Sequence, residues 1–244
     1  MNRAPGDESR YIVCNVVVRG AYRRRGIGRK LTEAAIAEAR KRGAKGVVIQ
    51  VHEDNAPALQ LYSHLGFREV AAEVELRLEA IQPVAVLDSP GYHVRPWRPA
   101  DGPASLELAR LVTPQVWQWL RPLRPEQYAA NRLADWGRRL TDRLGGRRVY
   151  RLAALHEEQL VALLTVTVAL RRGEHRLALL VHPDHAGRLE AALVSRALHT
   201  LAAAPRKAVR AAVNREEKSL LAVLRDYGFQ ARRTLLTMSQ DFQS

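Results

Sequence analysis

One order of elements is written twice along this 244-residue chain. A sequence built that way is constrained to fold as two like units. In the first copy an apolar strand, Tyr11 to Val18, runs through Val18-Arg19-Gly20 into an Ala-rich helical pattern with Leu31, Ala34, Ala35 and Ile36. A β-branched strand, Gly46 to Val51, follows, then a helix that ends at Gly66-Phe67. In the second copy the strand Leu177 to Pro183 ends in Val181-His182-Pro183. It leads to a helix over Leu189 to Ala203, a strand over Ala208 to Val213, a helix over Lys218 to Asp226 and Gly228-Phe229. Gly66 lies 48 residues beyond Val18, and Gly228 lies 47 beyond Val181.

The chemistry sits in the first copy. Arg23-Arg24-Arg25-Gly26-Ile27-Gly28 joins the end of a strand to the start of a helix. Free N–H groups at a helix start point outward, and the dipole favours negative charge there. Glycines at 26 and 28 let a bulky anion approach the backbone. The spacing is neither G-x-x-x-x-G-K-[ST] nor G-x-G-x-x-G, so the two common nucleotide loops are excluded. What stands here is R-x-x-G-x-G, which by itself is also compatible with an Arg-rich surface turn. Further on, Asp54 or Asn55 can cap a helix whose first turn holds Pro57. Ala58, Leu61 and Leu65 make its apolar stripe, Gly66 suits its C′ position, and Phe67 returns the chain to the core.

R-x-x-G-x-G and the later N-x-x-A-x-x-L-Y with G-F (Asn55, Ala58, Leu61, Tyr62, Gly66, Phe67) resemble the GCN5-related N-acetyltransferase (GNAT) superfamily over about residues 11–80. The resemblance implies an α/β fold of two GNAT-like acyl-CoA N-acyltransferase domains, with mixed, mostly antiparallel sheets flanked by helices. It implies an acetyl-CoA grip at Arg23, Arg24, Arg25, Gly26, Ile27, Gly28 and Arg29. The backbone of Val16, Val17 and Val18 would pair with the pantetheine arm like an added strand, and Asn55 would sit near the cofactor. Tyr62 would protonate the departing thiolate; a plain core aromatic is the simpler reading of that residue. The expected partners are acetyl-CoA and a primary amine, and a homodimer is left open.

The organisation that follows is a partial domain over 1–82, a linker over 83–91 rich in turn-formers, and a second domain over 92–244. The second domain has a full front half. Tyr92 to Trp97 reads as a strand and Pro103 to Leu111 as a helix. Pro125 to Arg143 reads as a longer helix, and Val149 to Leu155 with Leu160 to Leu170 as a hairpin around His156-Glu157-Glu158. The first domain has almost nothing before Tyr11, so it lacks its N-terminal half and is either truncated or completed by other segments. The second copy keeps the frame and drops the chemistry. Without gaps, Arg23 falls on Ala186, Gly26 on Leu189, Gly28 on Ala191, and Tyr62 on Leu224 counted back from Gly228-Phe229.

Formal charge is +14, of which residues 1–82 carry +4 and residues 83–244 carry +10, so most of the excess lies outside the loop. Basic residues are scattered and no zinc or RNA-binding spacing appears, so a nucleic-acid partner is disfavoured. Arg121, Arg124, Arg138, Arg139, Arg143, Arg147 and Arg148 read as a solvated face, and Trp117, Trp119, Tyr128 and Trp136 as helical core or cleft wall. Cys14, the only cysteine, reads as a buried thiol, and a disulfide within the chain is excluded. The polar start and the shortness of the longest apolar run, Leu160 to Leu170, lead to the expectation of a soluble cytoplasmic protein. No metal is expected. No general base stands out: Asp7 and Glu8 lie in an end read as loose, and His52, Glu53 and Asp54 read better as solvated or capping groups. The rival functions are an acyl-CoA-binding or assembly module without turnover and a basic RNA- or ribosome-associated protein.

Overall fold

The computed structural model describes residues 1–128 and 145–242. The chain forms two compact units. Unit 1 is Met1–Glu73, Pro114–Pro122 and Arg233–Ser244; unit 2 is Val74–Thr113 and Leu123–Arg232. Compactness therefore divides the chain differently from 1–82, 83–91 and 92–244. Two long strands, β4 (Arg68–Leu78) and β10 (Gln230–Asp241), change unit along their length. Residues 83–91 fall in unit 2, where Val84 packs on the core and the Leu87 N–H donates to Ser195 Oγ at 3.0 Å.

In unit 1, β1 (Asn2–Ala4) pairs antiparallel with β2 (Asp7–Val13), and β2 pairs parallel with β3 (Gly46–His52). A parallel neighbour requires a crossover, and α1 (Ile27–Lys41) supplies it. Val47, Ile49 and Val51 alternate onto one face of β3 and build the core with Ile36, Ala39, Tyr62 and Phe67. α1 buries Thr32, Ile36 and Ala39, whereas Leu31 is exposed, so the buried stripe is rotated from the expected one. Thr32 is tolerated inside because its hydroxyl donates to Gly28 O at 2.9 Å.

Two distant segments complete unit 1. Leu235 to Asp241 of β10 run antiparallel to His52 to Gly46. The short helix α4 (Gln115–Leu120) meets the β1–β2 turn, where the Gly6 N–H donates to Trp119 O at 2.8 Å. A Cβ at Gly6 would lie 2.0 Å from Gln118 O, so only glycine fits there. The Arg10 guanidinium lies 4.0 Å over the Trp119 ring.

Three expectations are corrected in this unit. The strand read as Tyr11 to Val18 is Asp7–Val13, shifted toward the N-terminus, and residues 14–19 are irregular. Cys14 is exposed rather than buried, because the chain has already left the sheet there. Asp7 and Glu8 are not a loose end but the start of β2, and Asp7 accepts from the Ser9 N–H (3.0 Å) and hydroxyl (2.6 Å).

In unit 2, β5 (His93–Pro96), β6 (Arg147–His156), β7 (Gln159–Ala169) and β8 (His175–Val181) form an antiparallel series. β9 (Val209–Asn214) then pairs parallel with β8 through the crossover helix α5 (Glu190–Ala202). The hairpin turns at Glu157 and Glu158, both left-handed (φ 47° and 63°), as a two-residue turn of twisted strands requires. α3 (Gly102–Val112), following β5, and α6 (Lys218–Asp226), following β9, are the other helices of this unit. Its core gathers Leu164, Val166, Leu177, Leu193, Leu198, Leu224 and their neighbours.

Arg121, Arg124, Arg147 and Arg148 are exposed, and Trp117, Trp119 and Tyr128 are half-buried rather than core. Trp136, Arg138, Arg139, Arg143 and most of the helix expected over 125–143 lie outside the described residues. Among the described residues no helix is long and apolar enough to cross a membrane.

Candidate functional site

The site begins where the β2–β3 ladder stops. The last pair is Val13 with Ile49, yet β3 continues to His52, so among the described residues one edge of its final residues has no strand beside it. Asn15, with φ of 57°, turns the chain away at this point. Val17 is exposed and Val16 and Val18 are half-buried. These three residues belong to no strand, contrary to the expected continuation, and Val18 O accepts from Arg23 Nε at 3.1 Å.

Beyond Val18 the loop is a tight coil of backbone. Gly20 to Tyr22 form a 3-10 turn, Arg24 is left-handed (φ 59°), and Gly26 (φ 75°) caps α1 without a side-chain acceptor. The first turn of α1 holds no acidic residue, and its first helical bond runs from the Lys30 N–H to Gly26 O at 3.0 Å. The N–H groups of Arg24, Gly26, Ile27, Gly28 and Arg29 thus have no acceptor among the described residues. A Cβ on Gly26 would meet nothing within 4 Å, so its backbone angle, not crowding, calls for glycine. Around this coil Arg23, Arg24, Arg25 and Arg29 are all exposed. Arg29 pairs with Glu33 at 2.8 Å and Arg25 lies 5.6 Å over the Tyr22 ring, while Arg24 has no side-chain partner among the described residues.

The second arm of the site is α2 (Ala56–His64). Of the two candidate caps it uses Asn55, whose side chain accepts from the Ala58 N–H at 3.4 Å. Its end is a paired closure: the Phe67 N–H reaches Tyr62 O and the Gly66 N–H reaches Ser63 O, both at 3.0 Å, with Gly66 at φ 85°. Ala58, Leu61 and Leu65 are only half-buried; Tyr62 and Phe67 are the buried anchors, with ring centroids 5.8 Å apart. Burial pushes the Tyr62 phenol above its ordinary pKa. Its hydroxyl makes no hydrogen bond among the described residues.

Unit 2 repeats this architecture and fills it. With Val18 set on Val181, the 3-10 turn Gly20–Tyr22 falls on Pro183–His185, and Ile27, the first residue of α1, falls on Glu190, the first of α5. Left-handed Arg24 falls on left-handed Gly187 (φ 83°). The difference is at the helix start. The Glu190 carboxylate, 2% exposed, accepts from the Gly187 N–H at 2.8 and 2.9 Å, the Leu189 N–H at 3.1 Å and the Ser219 hydroxyl at 2.6 Å. In unit 1 the counterparts of those two N–H groups belong to Arg24 and Gly26. Counted back from Gly66 set on Gly228, Tyr62 falls on Leu224 and Asn55 on Glu217, and α6 closes through Gly228-Phe229 with the same two bonds. Desolvation, with the nearby Glu190 charge adding to it, pushes the Glu217 carboxyl above its ordinary pKa. Sequence reading missed Glu190, although an acidic residue in a helix's first turn is the available signal.

Of the base candidates, Glu53 and Asp54 are exposed, while His52 is half-buried with no hydrogen-bond partner for its Nδ1. In unit 2 the Tyr92 hydroxyl is 3.0 Å from His185 Nδ1, and the His182 and His185 ring centroids are 5.9 Å apart. Among the described residues no group of three or more His, Cys, Asp or Glu is arranged to hold a metal ion.

Residues 2–67 match the acetyltransferase (GNAT) family. The chain is 44% identical over 55 residues to the [ribosomal protein bS18]-alanine N-acetyltransferase of Escherichia coli K12, covering 22% of this chain and 37% of that protein. It is 38% identical over 76 residues to the mycothiol acetyltransferase of Geodermatophilus obscurus, covering 30% of this chain and 25% of that one. The chain thus spans well under half the length of either relative. Among solved structures it is similar to a GCN5-related N-acetyltransferase from Sphaerobacter thermophilus, with a TM-score of 0.64 at 17% identity over 93% of this chain and 71% of that one. A tandem GNAT protein from the clavulanic acid biosynthesis pathway gives a TM-score of 0.57 at 22% identity over 93% and 74%. Residues 2–67 thus carry the signature of the acetyltransferase (GNAT) family, and the fold of these solved GNAT structures is shared over nine-tenths of the chain.

Proposed function

We propose that this chain is an N-acetyltransferase that moves an acetyl group from acetyl-CoA to a primary amine, and that unit 1 alone carries the cofactor. The observation that carries this reading is the Glu190 carboxylate of unit 2. It marks where an anion sits in this loop, and the corresponding N–H groups of Arg24 and Gly26 have no such partner. A pyrophosphate at that place would take those N–H groups together with the dipole of α1. Arg23, Arg24, Arg25 and Arg29 would add charge around it, Ile27 and Gly28 would present the next N–H groups, and Val16 to Val18 would offer unpaired backbone to the pantetheine arm. Asn55 would stand beside that arm.

In the reaction the amine nitrogen attacks the thioester carbonyl carbon. The C–N bond forms, the C–S bond breaks, the nitrogen loses a proton to solvent, and the Tyr62 hydroxyl protonates the leaving thiolate. Burial suits Tyr62 to this role, because a phenol held above its ordinary pKa stays protonated until the thiolate develops. The relative that acetylates an alanine of ribosomal protein bS18 suggests an α-amino group as the first acceptor to try. Calorimetry with acetyl-CoA, followed by thiol release with alanine-initiated peptides and small amines, tests the proposal. Binding with turnover supports it. Binding without turnover across the panel leaves an acyl-CoA-binding module, and absence of binding sinks both readings.

A further inference from the structure

In β3 the run Val47-Val48-Ile49-Gln50-Val51 contains one polar residue, and that residue is exposed while its four neighbours are buried. An exposed amide in the middle of an apolar strand that is paired with β10 on one side needs a reason. Gln50 is the first residue past the end of the β2–β3 ladder, so it lies at the mouth of the gap described above. Its side chain is held: Nε2 donates to Thr237 Oγ1 at 3.3 Å, and Thr237, fully buried on β10, accepts a second bond from Trp117 Nε1 at 3.2 Å. The Thr237 oxygen has two lone pairs, one taken by the indole N–H, which can only donate, and the other by the Gln50 amide N–H. That leaves Gln50 Oε1, an obligate acceptor, without a partner among the described residues.

We propose that Gln50 recognises the acceptor amine, its Oε1 taking an N–H of the nitrogen that is to be acetylated. This rests on the acetyltransferase reading of unit 1. Such a hydrogen bond orients the lone pair and strengthens as the nitrogen gains positive charge during attack, so it favours the transition state over bound substrate. Thr237 and Trp117 are positioning residues that hold the amide in one orientation.

The test compares wild type, Gln50→Leu and Thr237→Val. Gln50→Leu keeps bulk and loses the acceptor; Thr237→Val keeps the shape, frees the amide and leaves the Trp117 N–H without its acceptor. With an alanine-initiated peptide amide, Gln50→Leu is expected to lower kcat/KM for the peptide about 10- to 100-fold, with a smaller loss in Thr237→Val. Calorimetric affinity for acetyl-CoA should stay within about twofold, since no contact to its phosphates is removed. Peptide kinetics within about twofold of wild type would overturn the assignment. An independent readout is the Gln50 side-chain amide resonance, identified by its loss in Gln50→Glu, during titration of the same peptide without acetyl-CoA. A shift supports the assignment and no shift overturns it. Failure of the acetyltransferase reading appears separately, as absence of acetyl-CoA binding in the wild type.

Discussion

Arg24 and Gly187 stand at the same step of two loops, and both are left-handed (φ 59° and 83°). An L-residue other than Gly, Asn or Asp pays about 1–2 kcal/mol for that conformation, so Arg24 is held there by its surroundings. At Gly26 the backbone angle acts alone, because the space around its missing Cβ is open and crowding plays no part. Gly26→Val should destabilise unit 1 by about 1–2 kcal/mol and weaken acetyl-CoA binding more than tenfold. Gly26→Asn, which tolerates the angle, should retain most of both; denaturant melts and calorimetry on the pair check this. Tyr62→Phe preserves the ring packed on Phe67 and loses only an unpartnered hydroxyl. It should leave stability and acetyl-CoA affinity nearly unchanged and lower kcat about 100-fold; an unchanged kcat in steady-state assays would return Tyr62 to the role of a core aromatic.

Among the elements, the starts of α1 and α5 share a backbone and differ in what satisfies it. α5 carries its own anion, and losing a buried charged acceptor strands two N–H groups and the Ser219 hydroxyl. Glu190→Ala should cost about 2–3 kcal/mol, seen as a lower unfolding midpoint in urea. The neighbouring Glu217 supplies a pH signature. Its folded pKa is raised by burial, so the folded state holds its proton more tightly than the unfolded chain. The stability this gives is present below the ordinary carboxylate value and is lost as pH rises through the raised one. Glu217→Gln, which keeps the shape and removes the charge, should therefore raise thermal stability at neutral pH and change little near pH 4, about where the unfolded carboxyl itself protonates. A Tm advantage independent of pH would contradict that cause.

For the whole molecule, the inventory of two like units predicts one cofactor per chain. Unit 2 offers Leu189 for Gly26, Leu224 for Tyr62 and a resident carboxylate where a phosphate would lie. Calorimetric titration with acetyl-CoA should saturate at a single site per chain, and a stoichiometry of two would refute the closure of unit 2. Much of this was legible beforehand. Lys218–Asp226 forms as read, Gly66 and Gly228 end their helices as read, and the gapless match of the two loops holds to the residue, because caps, glycine angles and apolar periods are local physics. The end of β2 was misread by five residues because Val16-Val17-Val18 has strand composition but, among the described residues, no strand to pair with beyond Val13. Propensity reports what a backbone can do, and pairing decides whether it does.

The amino-acid sequence by itself determined that one order of elements occurs twice, that helices close at Gly66 and Gly228, and that only the first copy carries the Arg- and Gly-rich loop and Tyr62. Tertiary structure alone decided that residues 235–241 lie against β3, that Thr237 accepts from both Gln50 and Trp117, and that Glu190 folds back onto its own helix start. The reason is range. Capping and periodicity act over a turn or two of chain, whereas a strand's partner and a buried carboxylate's donors are chosen by close packing and by the cost of leaving a polar group unpaired, among residues far apart in sequence.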